Sequence, residues 1–190
     1  MSSDCIDNAR KAALANLRSL LNPAVLLPDN GFRGSWAAYR FFESDNMFHD
    51  GYVAAVKILL AAEKAVAACV VNLDRLEANA NGGAVCFLGR DSDPEEYRNT
   101  MRRIEVGYVG RERFGSTSDV GSWCSYCENS GDVGVIAIRN AGMAEVLEPA
   151  LELIWAKPLW VISNGDDPGA AYPFTDLIPE WRKGLASNFQ

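Results

Sequence analysis

Histidine occurs once in this chain, at His49, and basic residues are outnumbered, 18 Lys and Arg against 25 Asp and Glu. One histidine cannot build a multi-histidine metal centre, and His49 has no identifiable nucleophile partner that would make it a general base. Its neighbour Asp50 reads as a helix cap. The net charge of -7 argues against broad attraction to nucleic acid or anionic lipid, which draws on clustered Lys and Arg. Gly107, Gly110 and Gly115 have neither phosphate-loop nor dinucleotide spacing, and Gly115–Asp119 is not the G-x-S-x-G elbow of serine hydrolases. The most apolar run, Tyr52 to Leu73, contains Lys57, Glu63 and Lys64, so it reads as a core helix and not a membrane span. The opening residues carry acids early and no long apolar run, so no signal peptide is expected. A cytoplasmic protein with no metal and no cofactor is the expectation.

Disulfides are also not expected. The five cysteines, Cys5, Cys69, Cys86, Cys124 and Cys127, are odd in number, and several sit among apolar or small residues, as buried reduced thiols do. Trp123-Cys124-Ser125-Tyr126-Cys127 is similar to the W-C-x-x-C redox motif of thioredoxin-like proteins. That chemistry needs a strand before the first thiol and a helix after it. Here STSDVGS precedes and ENSGD follows, so both cysteines are assigned to a strand. A single C-x-x-C with one histidine lacks the second ligand pair of a zinc site.

What is present is a helical first half and an alternating second half. Ile6, Ala9, Ala13, Leu14, Leu17, Leu20 and Leu21 recur at helical spacing, predicting a helix over 4–21 that Pro23 ends. Ser35 is read as the cap of a short helix carrying Trp36, Tyr39 and Phe42. A long helix is predicted from Asp50 to about Glu77, stopped by NANGG. Beyond Gly83, AVCFL reads as a strand. Asp93 or Ser92 caps a helix opening at Pro94, IEVGYVG is a strand, and RERFGSTSDVG is a polar loop. Trp123–Glu128 and Val133–Ile138 form a hairpin across NSGD, with Cys124 and Cys127 on opposite faces and the second strand apolar on both. A helix with Met143, Val146, Leu147, Ala150, Leu151 and Ile154 in its stripe follows, kinked or restarted at Pro149. LWVIS is read as a buried strand and Asp176–Ala186 as a weak helix interrupted by Pro179. The expectation is a single α+β domain over 1–190. Its N-terminal helices, within 1–82, pack on a mixed, largely antiparallel sheet of about five strands formed within 83–190.

The acid excess is regional. From Asp119 onward there are 10 acids against 4 bases. The arginines 98, 102, 103, 111 and 113 interleave with Glu95, Glu96, Glu105 and Glu112, which reads as a salt-bridged face and not a nucleic-acid site. Asp91-Ser92-Asp93 has the look of a D-x-D metal pair, but helix capping accounts for it. Trp155, Trp160, Tyr172, Phe174 and Trp181 crowd the last third, where exposed aromatics among acids would make a protein-binding patch.

The W-x-x-Y-x-E strand, Trp123 to Glu128, running through its hairpin into VGVIAI resembles bacterial immunity proteins, which neutralise a cognate toxin by covering its site. That resemblance implies a basic, toxin-like partner met by Asp119, Glu128, Asp132, Asp166 and Asp167, with Tyr172 and Trp181 as aromatic anchors. Two other classes stay open. One is a small enzyme acting on a phosphorylated or anionic small molecule, with carboxylates beside Arg102, Arg111 or His49. The other is a homo-oligomeric scaffold, a homodimer among its forms, with the Tyr52–Leu73 segment facing a second copy.

Overall fold

The computed structural model describes residues 2–77, 85–104, 112–128, 132–163 and 177–189. Its centre is a seven-stranded sheet of order β3-β2-β4-β5-β6-β1-β7. The strands are β1 (Ala38–Glu43), β2 (Ala68–Asn72), β3 (Val85–Leu88), β4 (Arg113–Ser118), β5 (Trp123–Glu128), β6 (Val133–Ile138) and β7 (Lys157–Pro158). Every neighbouring pair is antiparallel. The helices are α1 (Ser3–Leu20), α2 (Asp50–Ala62), α3 (Leu73–Glu77), α4 (Pro94–Ile104), α5 (Ala141–Glu152), α6 (Leu159–Ser163) and α7 (Pro179–Asn188), with a 3-10 helix at Ser44–Phe48. The class is α+β, as expected, with seven strands instead of five.

The sheet is covered on both faces. On one, Phe42, Val70, Phe114, Trp123, Cys127, Ile136 and Ile138 pack with Val53, Val56 and Leu60 of α2 and with Leu147 and Leu151 of α5. On the other, Phe41, Cys69, Val71, Cys124, Tyr126, Val135 and Ala137 pack with Ala13 and Leu17 of α1 and with Leu185 of α7. This two-sided cover explains why β2, β5 and β6 are buried at every residue. It also confirms the hairpin reading, in which successive residues of β5 face opposite layers. Each leucine that α1 buries contributes about 1.5–3 kcal/mol relative to exposure.

Four expected elements changed type. The spacing of Trp36, Tyr39 and Phe42 mimics a helical face, yet Ala38–Glu43 is β1, with Phe41 and Phe42 pointing into opposite cores and pairing with Val135 and Gly134. Aromatic side chains pack well on a pleated surface, and cross-strand pairing decides the matter. The helix expected to reach Glu77 ends at Ala62, and Ala68–Asn72 is a central strand. The chain reverses through Lys64, whose φ is +58°, with Ala65 N donating to Leu60 O at 2.9 Å. RERFGSTSDVG holds a central strand, β4, whose residues from Phe114 are buried. Its small residues serve close packing: a Cβ on Gly115 would lie 3.1 Å from methyl groups of both Leu17 and Leu21. So the region expected to be purely helical supplies two strands. LWVIS forms α6 and not a strand, Pro179 opens α7 at its first turn, and Pro149 sits inside α5 without ending it. The strand expected at IEVGYVG and the stop expected at NANGG lie outside the described residues, apart from Ile104 at the end of α4.

Candidate functional site

Most carboxylates near the centre of the molecule are engaged in holding it together. Glu128, at the end of β5, is 3% exposed and accepts hydrogen bonds from Leu27 N at 2.8 Å and Tyr126 Oη at 2.6 Å. Burial, and then the Glu128 carboxylate, push the Tyr126 hydroxyl pKa well up, so it stays a donor. Asp119 Oδ1 accepts from Val66 N and Ala67 N at 2.9 and 3.0 Å, completing backbone donors ahead of β2. Asp74 is paired with Arg113, whose guanidinium also reaches Pro23 O. Glu63 accepts from Trp123 Nε1 at 3.0 Å and from Ser122 Oγ. Glu128 is therefore not on an outer face. Asp119, half-buried and bonded to backbone, is a structural cap in place of the expected docking acid.

A second group of acids has no such task. Glu43 closes β1, Asp45 lies in the 3-10 helix, and Asp132 occupies the turn before β6 at φ +54°, its carbonyl accepting from Ser44 N at 3.1 Å. Two of these charges act on the third. Partial burial, then Asp45, then Asp132 raise the pKa of the Glu43 carboxyl, and His49 opposes them. No ion pair neutralises this corner among the described residues. Of the expected site residues that are described, only Asp132 belongs to it.

The corner continues into α5. Asn140 caps this helix, its side chain accepting from Gly142 N at 2.9 Å. Helical spacing places Glu145, Glu148 and Glu152 in one row on the side away from the core, with Val146 and Leu153 beside them at 58% and 44% exposure. The last turn has no basic residue, so the negative end of the helix dipole adds to the acids. Arg40 approaches one member of the row, lying 3.9 Å from Glu148. The end of α5 is seated on the corner itself. Asn46 Nδ2 donates to Ile154 O at 3.0 Å, and a Cβ on Gly51 would stand 2.6 Å from Leu153 O, a closeness only glycine permits. Directly beyond is Trp155, 65% exposed.

The remaining candidates are accounted for otherwise. Trp181 is half-buried against the second core, so it is not an open anchor. Asp166, Asp167, Tyr172, Phe174 and Arg111 lie outside the described residues. Cys124 and Cys127 belong to opposite cores and have pKa values raised by burial, the reverse of what a redox thiol needs. Cys69 is likewise pushed up to about 12 and Cys86 to about 11. Arg98 pairs with Asp50 at 2.9 Å, Arg103 bonds Asn99 O and Thr100 Oγ1, and Arg102 stands exposed on α4.

A groove of about 760 Å³ runs beside β3 between α1 and α4. Three of its charged groups serve the fold: Arg90 donates to Leu60 O and Ala65 O, Asp93 caps α4 by accepting from Glu95 N and Glu96 N, and Arg10 lies over the Phe87 ring at 5.4 Å. The readable signal that sequence reasoning passed over is the row Glu145, Glu148, Glu152, spaced i, i+3, i+7 with no base among them. Glu43 and Asp45 gave no such signal, because their segment was read as a helix and its end. Comparison with family models, curated proteins and solved structures finds no match to this chain.

Proposed function

We propose that this chain is a non-catalytic binding protein that docks a basic protein partner on the acidic face made by Glu43, Asp45, Asp132 and the outer side of α5, in the manner of an immunity protein covering its toxin. The observation that carries the reading is the corner without an ion pair among the described residues, where partial burial, then Asp45, then Asp132 raise the cost of ionising Glu43 and a cationic partner would relieve it. Acids left without a fold-holding partner, on a protein whose Glu128, Asp119, Asp74 and Glu63 carboxylates are bonded, serve attraction and orientation of a partner better than they serve folding. In the groove beside β3, Arg90 and Asp93 are bound to backbone, which leaves them less free to act on a substrate.

The test is a pull-down from the source cell, followed by affinity measurement on the purified captured protein with wild type and with a Glu43→Gln/Asp45→Asn/Asp132→Asn variant. The expected partner is basic, and its affinity falls about tenfold or more both in the variant and on raising salt from about 50 to 300 mM. An acidic partner, or affinity indifferent to the variant and to salt, overturns the reading. So does turnover of a small anionic molecule in the groove beside β3.

A further inference from the structure

Two helices of this chain end in the same way, and the comparison isolates Trp155. At the end of α2, Lys64 N donates to Ala61 O and Ala65 N to Leu60 O. At the end of α5, Trp155 N donates to Glu152 O at 3.0 Å and Ala156 N to Leu151 O at 2.9 Å. Both are Schellman caps, and the capping residue must take a positive φ, +58° at Lys64 and +52° at Trp155. Glycine takes that conformation most cheaply, and a bulky aromatic takes it poorly. Lysine at such a site keeps its ammonium in water. Tryptophan gains nothing comparable, because its ring is 65% exposed and no ring or cation contact engages it among the described residues.

The surroundings fit one kind of guest. Glu152 lies three residues before Trp155, Asp45 lies beside the Asn46 that grips Ile154 O, and the negative end of the α5 dipole closes there. An exposed aromatic face at the C-terminus of a helix whose outer row is acidic attracts a cation. Guanidinium suits it better than ammonium, because its plane stacks on an indole while its edge N–H groups reach carboxylates.

Resting on the docking reading given above, we propose that Trp155, at the C-terminal end of the acidic row of α5, is the seat for an arginine side chain of the basic partner. Trp155 thereby supplies the central anchor of the interface, and the acidic row of α5 supplies orientation.

The probes are fluorescently end-labelled hexa-arginine and hexa-lysine peptides, with affinity read by anisotropy at low salt. Wild type is expected to prefer the arginine peptide. Trp155→Leu, which keeps apolar bulk without a π face, and Trp155→Gly are each expected to bind it about three- to tenfold more weakly and to lose the preference, while Trp155→Phe keeps part of it. A Glu145→Gln/Glu152→Gln/Asp45→Asn variant is expected to weaken both peptides alike. Unchanged arginine-peptide binding by Trp155→Gly overturns the seat, whatever the acid variant does. Loss in the tryptophan variants with the acid variant unaffected supports the aromatic seat and overturns the acidic-face reading instead. The glycine variant suits the left-handed φ, so its folding does not confound the result.

Discussion

Two sets of carboxylates in this molecule have the same chemistry and opposite employment. Under the sheet, Glu128, Asp119, Asp74 and Glu63 each complete a hydrogen bond that the fold would otherwise lack. At the corner where the 3-10 helix meets the end of α5, and along the outer side of that helix, Glu43, Asp45, Asp132, Glu145 and Glu152 complete none that the described residues reveal, and Glu43 pays a penalty in its own ionisation. The difference teaches that acid content along a sequence does not measure the charge a surface offers. Carboxylates of the first set are bound to backbone or to side chains of the fold, and of the two sets only the second projects a field.

Substitutions can break that contrast or sharpen it. The largest effect is expected of Glu128→Ala, which strips an acceptor from two buried donors and should cost about 3–4 kcal/mol, read as a lower urea midpoint. A cost under about 1 kcal/mol would place Glu128 with the idle acids. Gly51→Ala should follow at about 1–3 kcal/mol, because a methyl group cannot coexist with Leu153 O and the end of α5 must shift. The two strained caps come next. Trp155→Gly and Lys64→Gly should each raise stability by up to about 1 kcal/mol, and only the first should alter peptide binding.

The smallest effect is electrostatic. The Glu43 pKa is raised in the folded state, so folding is favoured by its protonated form. That contribution is fully present below the ordinary value of 4.5 and is lost as pH rises through the raised one. Glu43→Gln should therefore raise the melting temperature at neutral pH by about 1–2 °C, with the gain vanishing in acid and shrinking in salt. A loss at neutral pH would mean that the carboxylate is engaged after all.

The sequence was legible where one periodicity had no rival. The stripe of α1, the capped start of α4 and the two-faced hairpin β5–β6 were all found by pattern alone. It misled where two periods fit one string. Aromatics at positions 36, 39 and 42 suit a helical face, and a strand buried on both sides, such as Ala68–Asn72, is apolar all round like a buried helix. No glycine marked the reversal at Lys64, and the small polar residues of β4 hid a central strand behind loop composition. The site was less legible still. Exposure separates Asp132 from Glu128, and exposure depends on Leu27 arriving from elsewhere in the fold to join Tyr126 at the Glu128 carboxylate.

The most direct test is to map amide chemical-shift changes on ¹⁵N-labelled protein titrated with the hexa-arginine peptide. The account predicts shifts gathered at Glu43–Asn46, Asp132 and Glu145–Ala156, fading as salt is added. Shifts centred on the groove beside β3, or scattered over every exposed acid alike, would contradict it.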